Sequence, residues 1–245
     1  MTAPTYIRYE LLRTLRNRRF FFFSLGFPLL LYFIIAVPNR GEHSLGGSGI
    51  AAPLYFMVSL AAFGTMNGVI GTGARIAAER VVGWNRQLRL TPLQPAAYFR
   101  AKVLTAYMTA AMTIVLLYAS GVALGVRLDA ATWLEMTGLL LVGLIPFVAI
   151  GVAFGHLLNA DSIGPAVGGL TALFALFGGV WFPITNGGVM HAFALSLPSY
   201  WLVQASRIGI GAAGWSATGW MVVAAWTIGG VALARWAYRR DTQRA

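Results

Sequence analysis

Six stretches of the chain are apolar over roughly the 20 residues that a bilayer crossing needs: residues 20–37, 51–74, 103–126, 136–158, 164–183 and 217–236. None holds an acidic residue, and Arg235, near the end of the last, is their one cation. The pattern predicts an all-α polytopic membrane protein, one transmembrane domain over residues 1–245 with six spans. Arginines precede the first stretch as they would precede a signal peptide. Its apolar run is too long for that, and no A-x-A site follows before Val37-Pro38-Asn39, so it reads as a retained helix. Ahead of it, residues 4–19 carry Ile7, Leu11 and Leu15 every four residues with Leu12 alongside, while Arg8, Arg13, Arg16 and Arg19 fill much of the remainder. This is the pattern of a helix lying in the membrane interface; a solvated basic tail is the alternative.

Composition agrees with the pattern. The chain is 58% hydrophobic and only 10% charged, against about 25% charged in soluble domains. With no cysteine, disulfides, thiolate metal sites and cysteine nucleophiles are excluded. The net charge of +11 suggests nucleic acid at first sight, but its distribution says otherwise. Arg8, Arg13, Arg16, Arg18 and Arg19 lie before the first span. Arg75, Arg80, Arg86, Arg89, Arg100 and Lys102 surround the second connection, and Arg235, Arg239, Arg240 and Arg244 lie at the end. Only Arg40, Arg127 and Arg207 fall on the other side. By the positive-inside rule, both termini and the 75–102 connection are expected in the cytoplasm, and no nucleic-acid partner is expected.

The connection at residues 79–92 has more structure than a charge signal requires. Trp84 and Leu88, four apart, share a helical face. Arg86 and Arg89 project elsewhere, and Thr91-Pro92 stops the helix. Docking into a protein groove and contact with anionic lipid are both open on these residues alone. On the opposite side, residues 185–207 mix Val189, Met190, Phe193, Leu195, Leu197 and Trp201 with the breaks Asn186-Gly187-Gly188 and Pro198. Irregular backbone at membrane depth survives only when protein or a water-filled cavity surrounds it. A re-entrant outer hairpin between spans 5 and 6 fits, with an ordinary surface loop as the alternative. Small pairs at Gly64/Gly68, Gly121/Gly125, Gly151/Gly155 and Gly164/Gly168 predict close helix packing. Tyr55, Phe56, Phe63 and Asn67 in the second span, with Tyr107 and Met108 in the third, are candidates for a pathway taken by an amphiphile; for each, packing is the plainer reading.

The order of these elements resembles the permease subunit of the ABC type-2 exporter family, which includes daunorubicin-resistance and polysaccharide-export permeases. Glu79-Arg80 through Leu88-Arg89-Leu90-Thr91-Pro92 resembles the family's E-R…L…T-P coupling segment. Gly178-Gly179-Val180-Trp181-Phe182-Pro183 with Leu197-Pro198 and Trp201 resembles its G-G…F-P…L-P…W signature, although Pro198-Ser199-Tyr200-Trp201 is shorter than the usual gap. The resemblance covers essentially the whole chain. It implies a coupling segment of Glu79, Arg80, Trp84, Arg86, Leu88, Arg89, Thr91 and Pro92 and an outer gate of Gly178, Gly179, Trp181, Phe182, Pro183, Pro198 and Trp201. It also implies two cytoplasmic ABC ATPase subunits carrying ATP and Mg²⁺, and a second permease, identical or related, in a bacterial plasma membrane. Trp84 and Leu88 are expected to insert into the ATPase as apolar anchors, with Glu79 and Arg80 fixing the segment to the second span.

No G-x-x-x-x-G-K-[ST] occurs, so ATP has no P-loop here. Glu10, Glu42, Glu79, Asp129, Glu135, Asp161 and Asp241 all fall in loops or at helix ends, and an ion-coupled pump usually needs ionisable groups inside the membrane. His43, His156 and His191 lack metal spacing, and no G-x-S-x-G or H-E-x-x-H appears. Export of an amphiphilic small molecule is the leading expectation. A polysaccharide or lipid-linked glycan, secondary transport, and a membrane enzyme or assembly scaffold are the alternatives.

Overall fold

Prolines and side-chain caps decide where most of the helices begin. The computed structural model describes residues 3–18, 22–42, 50–91, 93–181, 184 and 187–243, with the side chains of Phe23, Asn85, Arg86, Arg89, Thr242 and Gln243 outside that description. In chain order the helices are α1 (Ala3–Leu15), a π turn (Phe22–Gly26) leading into α2 (Phe27–Ala36), α3 (Ala52–Val81), α4 (Trp84–Arg89), α5 (Pro95–Ala123), α6 (Ala130–Gly143), α7 (Ile145–Leu157), α8 (Ala160–Gly178), α9 (Gly188–Leu195), α10 (Pro198–Arg207) and α11 (Ala217–Gln243). Proline occupies the first turn of α2, α3, α5, α7 and α10, where its missing N–H would be unpaired anyway.

Asp129 and Asn159 cap α6 and α8, accepting hydrogen bonds from the amides of Thr132 and Ser162 at 2.9 Å each. The Thr132 hydroxyl and amide hold the exposed Asp129 carboxyl below the usual carboxylate range. These caps start both helices four to six residues before the apolar runs at 136 and 164, because a capped first turn needs no apolar face.

Five spans, Ala52–Val81, Pro95–Ala123, Ala130–Leu157, Ala160–Gly178 and Ala217–Asp241, are long and apolar enough to cross a membrane. The third is two helices bent at Leu144, where Pro146 enters. The stretch expected as a first span, 20–37, contains only the apolar helix Ser24–Ala36 among the described residues. At 1.5 Å per residue its length is about 20 Å, short of the roughly 30 Å hydrocarbon core.

α3 is the axis. α2, α5, α7, α8 and α10 pack around it, and α11 runs along α7. Three glycines allow α3 and α7 to meet backbone to backbone. A Cβ on Gly73 would strike the carbonyl oxygen of Gly151, and one on Gly155 would meet Ile76 Cβ at 2.6 Å and the Gly73 oxygen at 2.7 Å. Gly64 and Gly68 receive Pro28, Thr113 and Thr109 in the same way. The expectation of packing fails for Gly164 and Gly168, where a Cβ would meet nothing within 4 Å; that face of α8 looks outward. It fails also for Gly125, a left-handed turn residue after α5 (φ 93°).

α1 lies against α5 in an unexpected roll. Tyr6, Glu10 and Thr14 are buried, while Tyr9, Leu12 and Leu15 face outward and Ile7 and Leu11 are half-buried. The stripe expected from apolar spacing is therefore on the outside, and the inner face is polar.

Candidate functional site

The inner face of α1 is polar because it closes an ion cluster. Lys102 on α5 places its ammonium 2.7 Å from Glu10 Oε1 and 2.7 Å from both carboxylate oxygens of Glu79 on α3. Arg13 reaches Glu79 at 3.1 Å, and Arg75 reaches Glu10 at 3.4 Å. Glu10, Glu79 and Lys102 are each at most 3% exposed. Burial alone would raise the Glu10 carboxyl, but Lys102, Arg75 and Arg13 outweigh it and hold the group below its ordinary value. The neighbouring Tyr6 hydroxyl is pushed up by burial and by the charges of Glu10 and Glu79. Three helices are thus joined by buried charges, which are costly to desolvate and strongly coupled once paired.

A second junction lies one residue on. Arg80 donates to the carbonyls of Gly155 (3.2 Å) and Leu158 (2.8 Å), capping the end of α7, and to Asp241 of α11 at 2.8 Å. Asp241 also meets His156 Nδ1 at 3.0 Å. Cations suit the last turn of a helix, where carbonyls lack intrahelical partners. Glu79 and Arg80 therefore both anchor the C-terminal end of α3, through partners that the sequence spacing did not reveal.

Between them and α5, Gly83 (φ 70°) turns the chain into α4, a conformation that glycine tolerates. Thr91 ends the helix, its hydroxyl donating to the Leu88 carbonyl at 2.6 Å; Pro92 lies outside the described residues. Trp84 and Leu88 do share a face, but it points inward, packing with Tyr6, Tyr98 and Ala101. Leu88 is only 9% exposed and Trp84 is half-buried, so both are already packed within this chain. The apolar side chains open to solvent around α4 are instead Val81 and Val82, each 70% exposed, and Leu90, 89% exposed.

Of the candidate pathway residues, Phe56, Phe63 and Asn67 follow one stripe of α3, continued by Gly71 and Ala74; most of α3 outside it is buried. Phe63 packs against Trp181 with ring centroids 5.4 Å apart. Tyr55 stands edge-on to Phe56, off that stripe. Tyr107 is on α5 and donates to the Leu141 carbonyl at 2.9 Å, beside the bend between α6 and α7. Met108, also on α5, is half-buried. Phe63 belongs to the main core cluster, against which Phe56 and Tyr107 also pack.

Of the gate candidates, Gly178 and Pro198 meet where the end of α8 lies against the start of α10. Gly178 lies against Ser199, which leaves 3.0 Å for any Cβ, and Gly179 ends α8 in a left-handed conformation (φ 79°). Arg207, at the end of α10, donates to the Gly179 carbonyl at 2.6 Å. Pro198 opens α10. Trp201 donates to the Leu195 carbonyl at 2.9 Å and accepts on its own carbonyl from Trp215 at 2.8 Å. Helices α9 and α10, joined through Ser196 and Leu197, are held in place by these bonds and by Trp226, which donates to the Ser196 carbonyl at 2.8 Å. Trp181 is exposed; Phe182 and Pro183 lie outside the described residues.

Sequence reading overlooked Glu10, Lys102, Arg75, His156, Asp241 and Arg207 as working residues. The available signals were weak ones: a lone acid in an arginine-rich helix, and an acid–base pair at Glu79-Arg80 in a span whose one other charged residue is Arg75.

A family model for the ABC-2 type transporter matches residues 4–210. A relative, the putative transport permease YvfS of Bacillus subtilis (strain 168), is 29% identical over 201 residues, 78% of each chain.

Proposed function

The chain belongs to the ABC-2 type transporter family, and from that premise we propose that it is the membrane subunit of an exporter that moves an amphiphilic small molecule out of the cell. Two cytoplasmic ABC ATPase subunits, binding ATP and Mg²⁺, supply the energy, and a second permease completes the pathway. Both termini lie in the cytoplasm, the short helix Ser24–Ala36 makes a sixth crossing where the bilayer thins around it, and α9–α10 re-enters the membrane from outside.

The observation that carries this reading is the junction of α1, α3 and α5. Work delivered to the short helix α4 reaches the spans only if its surroundings are rigid. The Lys102 cluster and the Trp84/Leu88 packing meet that need. Val81, Val82 and Leu90 then form the docking surface. Changing Val82 and Leu90 to aspartate will cost about 2–4 kcal/mol of ATPase affinity, the usual range for central anchors, with thermal stability of the permease unchanged. Trp84→Ala with Leu88→Ala will instead destabilise the permease itself, by about 2–5 kcal/mol. Co-purification of the cognate ATPase, read beside unfolding curves, separates the two. Full ATPase retention by the aspartate variant rejects this surface.

The stripe Phe56, Phe63 and Asn67, aromatic with one amide, suits an amphiphile moving between two permeases. The smooth outward face at Gly164 and Gly168 supports close approach of a second helix. At the outer end, Gly178→Leu will collide with the Ser199 backbone, a strain on the order of 1–3 kcal/mol. Efflux of an amphiphilic dye should fall several-fold while ATPase co-purification is retained. Normal efflux would remove Gly178 from the gate.

A further inference from the structure

Outside the junction, α1 and α5 leave an open groove of about 570 Å³ lined by Ala3, Pro4, Ile7, Arg8, Leu11, Leu12 and Arg100. Its floor is apolar and its charged lining is two exposed arginines, with no carboxylate. Neither Arg8 nor Arg100 takes part in an ion pair among the described residues, whereas Arg13, Arg75 and Arg80 are all engaged. The groove belongs to the outward roll of α1, which turns Leu12 and half of Leu11 away from the protein.

We propose that this groove is a binding site for one anionic phospholipid, its phosphate held by Arg8 and Arg100 and an acyl chain lying along Ile7, Leu11 and Leu12. Two chemistries converge on that ligand. An unpaired guanidinium binds phosphate oxygens through a planar fork of donors. An apolar trough of this size beside it suits a chain of methylenes, each worth about fourfold in affinity when removed from water. Soluble phosphate or a nucleotide would leave the trough empty; a zwitterionic lipid would leave the two cations uncompensated. The site depends only on the permease lying in a membrane and not on the ATPase reading.

Purified permease in neutral detergent, titrated with phosphatidylglycerol or phosphatidylcholine and examined by native mass spectrometry, tests the assignment. One phosphatidylglycerol should be retained in preference to phosphatidylcholine. In the Arg8→Gln/Arg100→Gln variant that preference should fall by about 25-fold, since each arginine near a lipid headgroup contributes about a fivefold factor. Arg16→Gln/Arg18→Gln removes as much charge from the same end and should leave the preference intact. An equal loss in that control would reduce the effect to general surface charge and overturn the site. So would equal retention of the two lipids by the unmodified chain, or displacement of the lipid by millimolar inorganic phosphate. Unchanged unfolding temperatures in both variants establish that the reading is of binding and not of folding.

Discussion

Lys102→Met should lower the stability of the purified permease by about 3–5 kcal/mol, the range for removing one member of a buried ion cluster. The methionine fills similar volume, so the loss is electrostatic. Glu10 and Glu79, each within 2.7 Å of the lysine, would face one another in a space that admits almost no water. Arg75 at 3.4 Å and the half-exposed Arg13 at 3.1 Å are poor substitutes. Adding Glu79→Gln to Lys102→Met removes the uncompensated charge and should recover a large part of the loss. A coupling energy above about 1 kcal/mol in the double-mutant cycle is then expected. Chemical unfolding in detergent measures it, and a single variant within 0.5 kcal/mol of the parent would refute the cluster's importance. The same cluster fixes a pH dependence. Because Glu10 titrates below its ordinary value, its contribution is complete above the unfolded carboxyl pKa of about 4.3. It disappears as pH falls through the lower folded value. Glu10→Gln should remove that part of the acid limb.

Gly73→Ala should be the most damaging single methyl in the spans. Alanine is favoured over glycine in a helix by up to about 1 kcal/mol, so the substitution would stabilise an isolated α3. Here the new carbon falls on the Gly151 carbonyl, which belongs to the backbone of α7 and has no rotamer to change. The helices must separate, and Gly151 and Gly155, which also lie close against Ile70 and Ile76, lose contact with them. A net cost of about 2–3 kcal/mol is expected. Gly168→Ala, with nothing within 4 Å, should be neutral or slightly stabilising. Melting curves of the two variants decide it: equal behaviour would mean that α3 and α7 do not meet at these glycines.

Much of the fold was legible because five spans carry unbroken apolar runs. Their ends were less so, since the features that set them are polar and local. Asp129 and Asn159 begin helices ahead of the apolar residues. α11 runs past residue 236 because Asp241, 161 residues from Arg80 and 85 from His156, meets both. The bend at Leu144 was signalled by Pro146 but hidden inside a continuous hydrophobic stretch. In the candidate site, the spacing of Trp84 and Leu88 revealed that they share a face. Spacing carries no information on whether such a face turns inward, and here Tyr6 and Tyr98 claim it. The charge cluster was least legible: a tally of arginines and lysines by side assigns Lys102 to topology, and only three-dimensional proximity pairs it with Glu10.

That pairing also orders the protein's biosynthesis. Glu79 precedes Lys102 by 23 residues and Glu10 precedes it by 92. At roughly 5–20 residues per second, Glu10 waits on the order of 5–18 seconds on the ribosome before its ammonium partner exists. Until then α1 has no reason to adopt its final roll, because its acid is better hydrated than buried. α1 is therefore seated only after α3 has been made, and the arrival of α5 is the event that seats it.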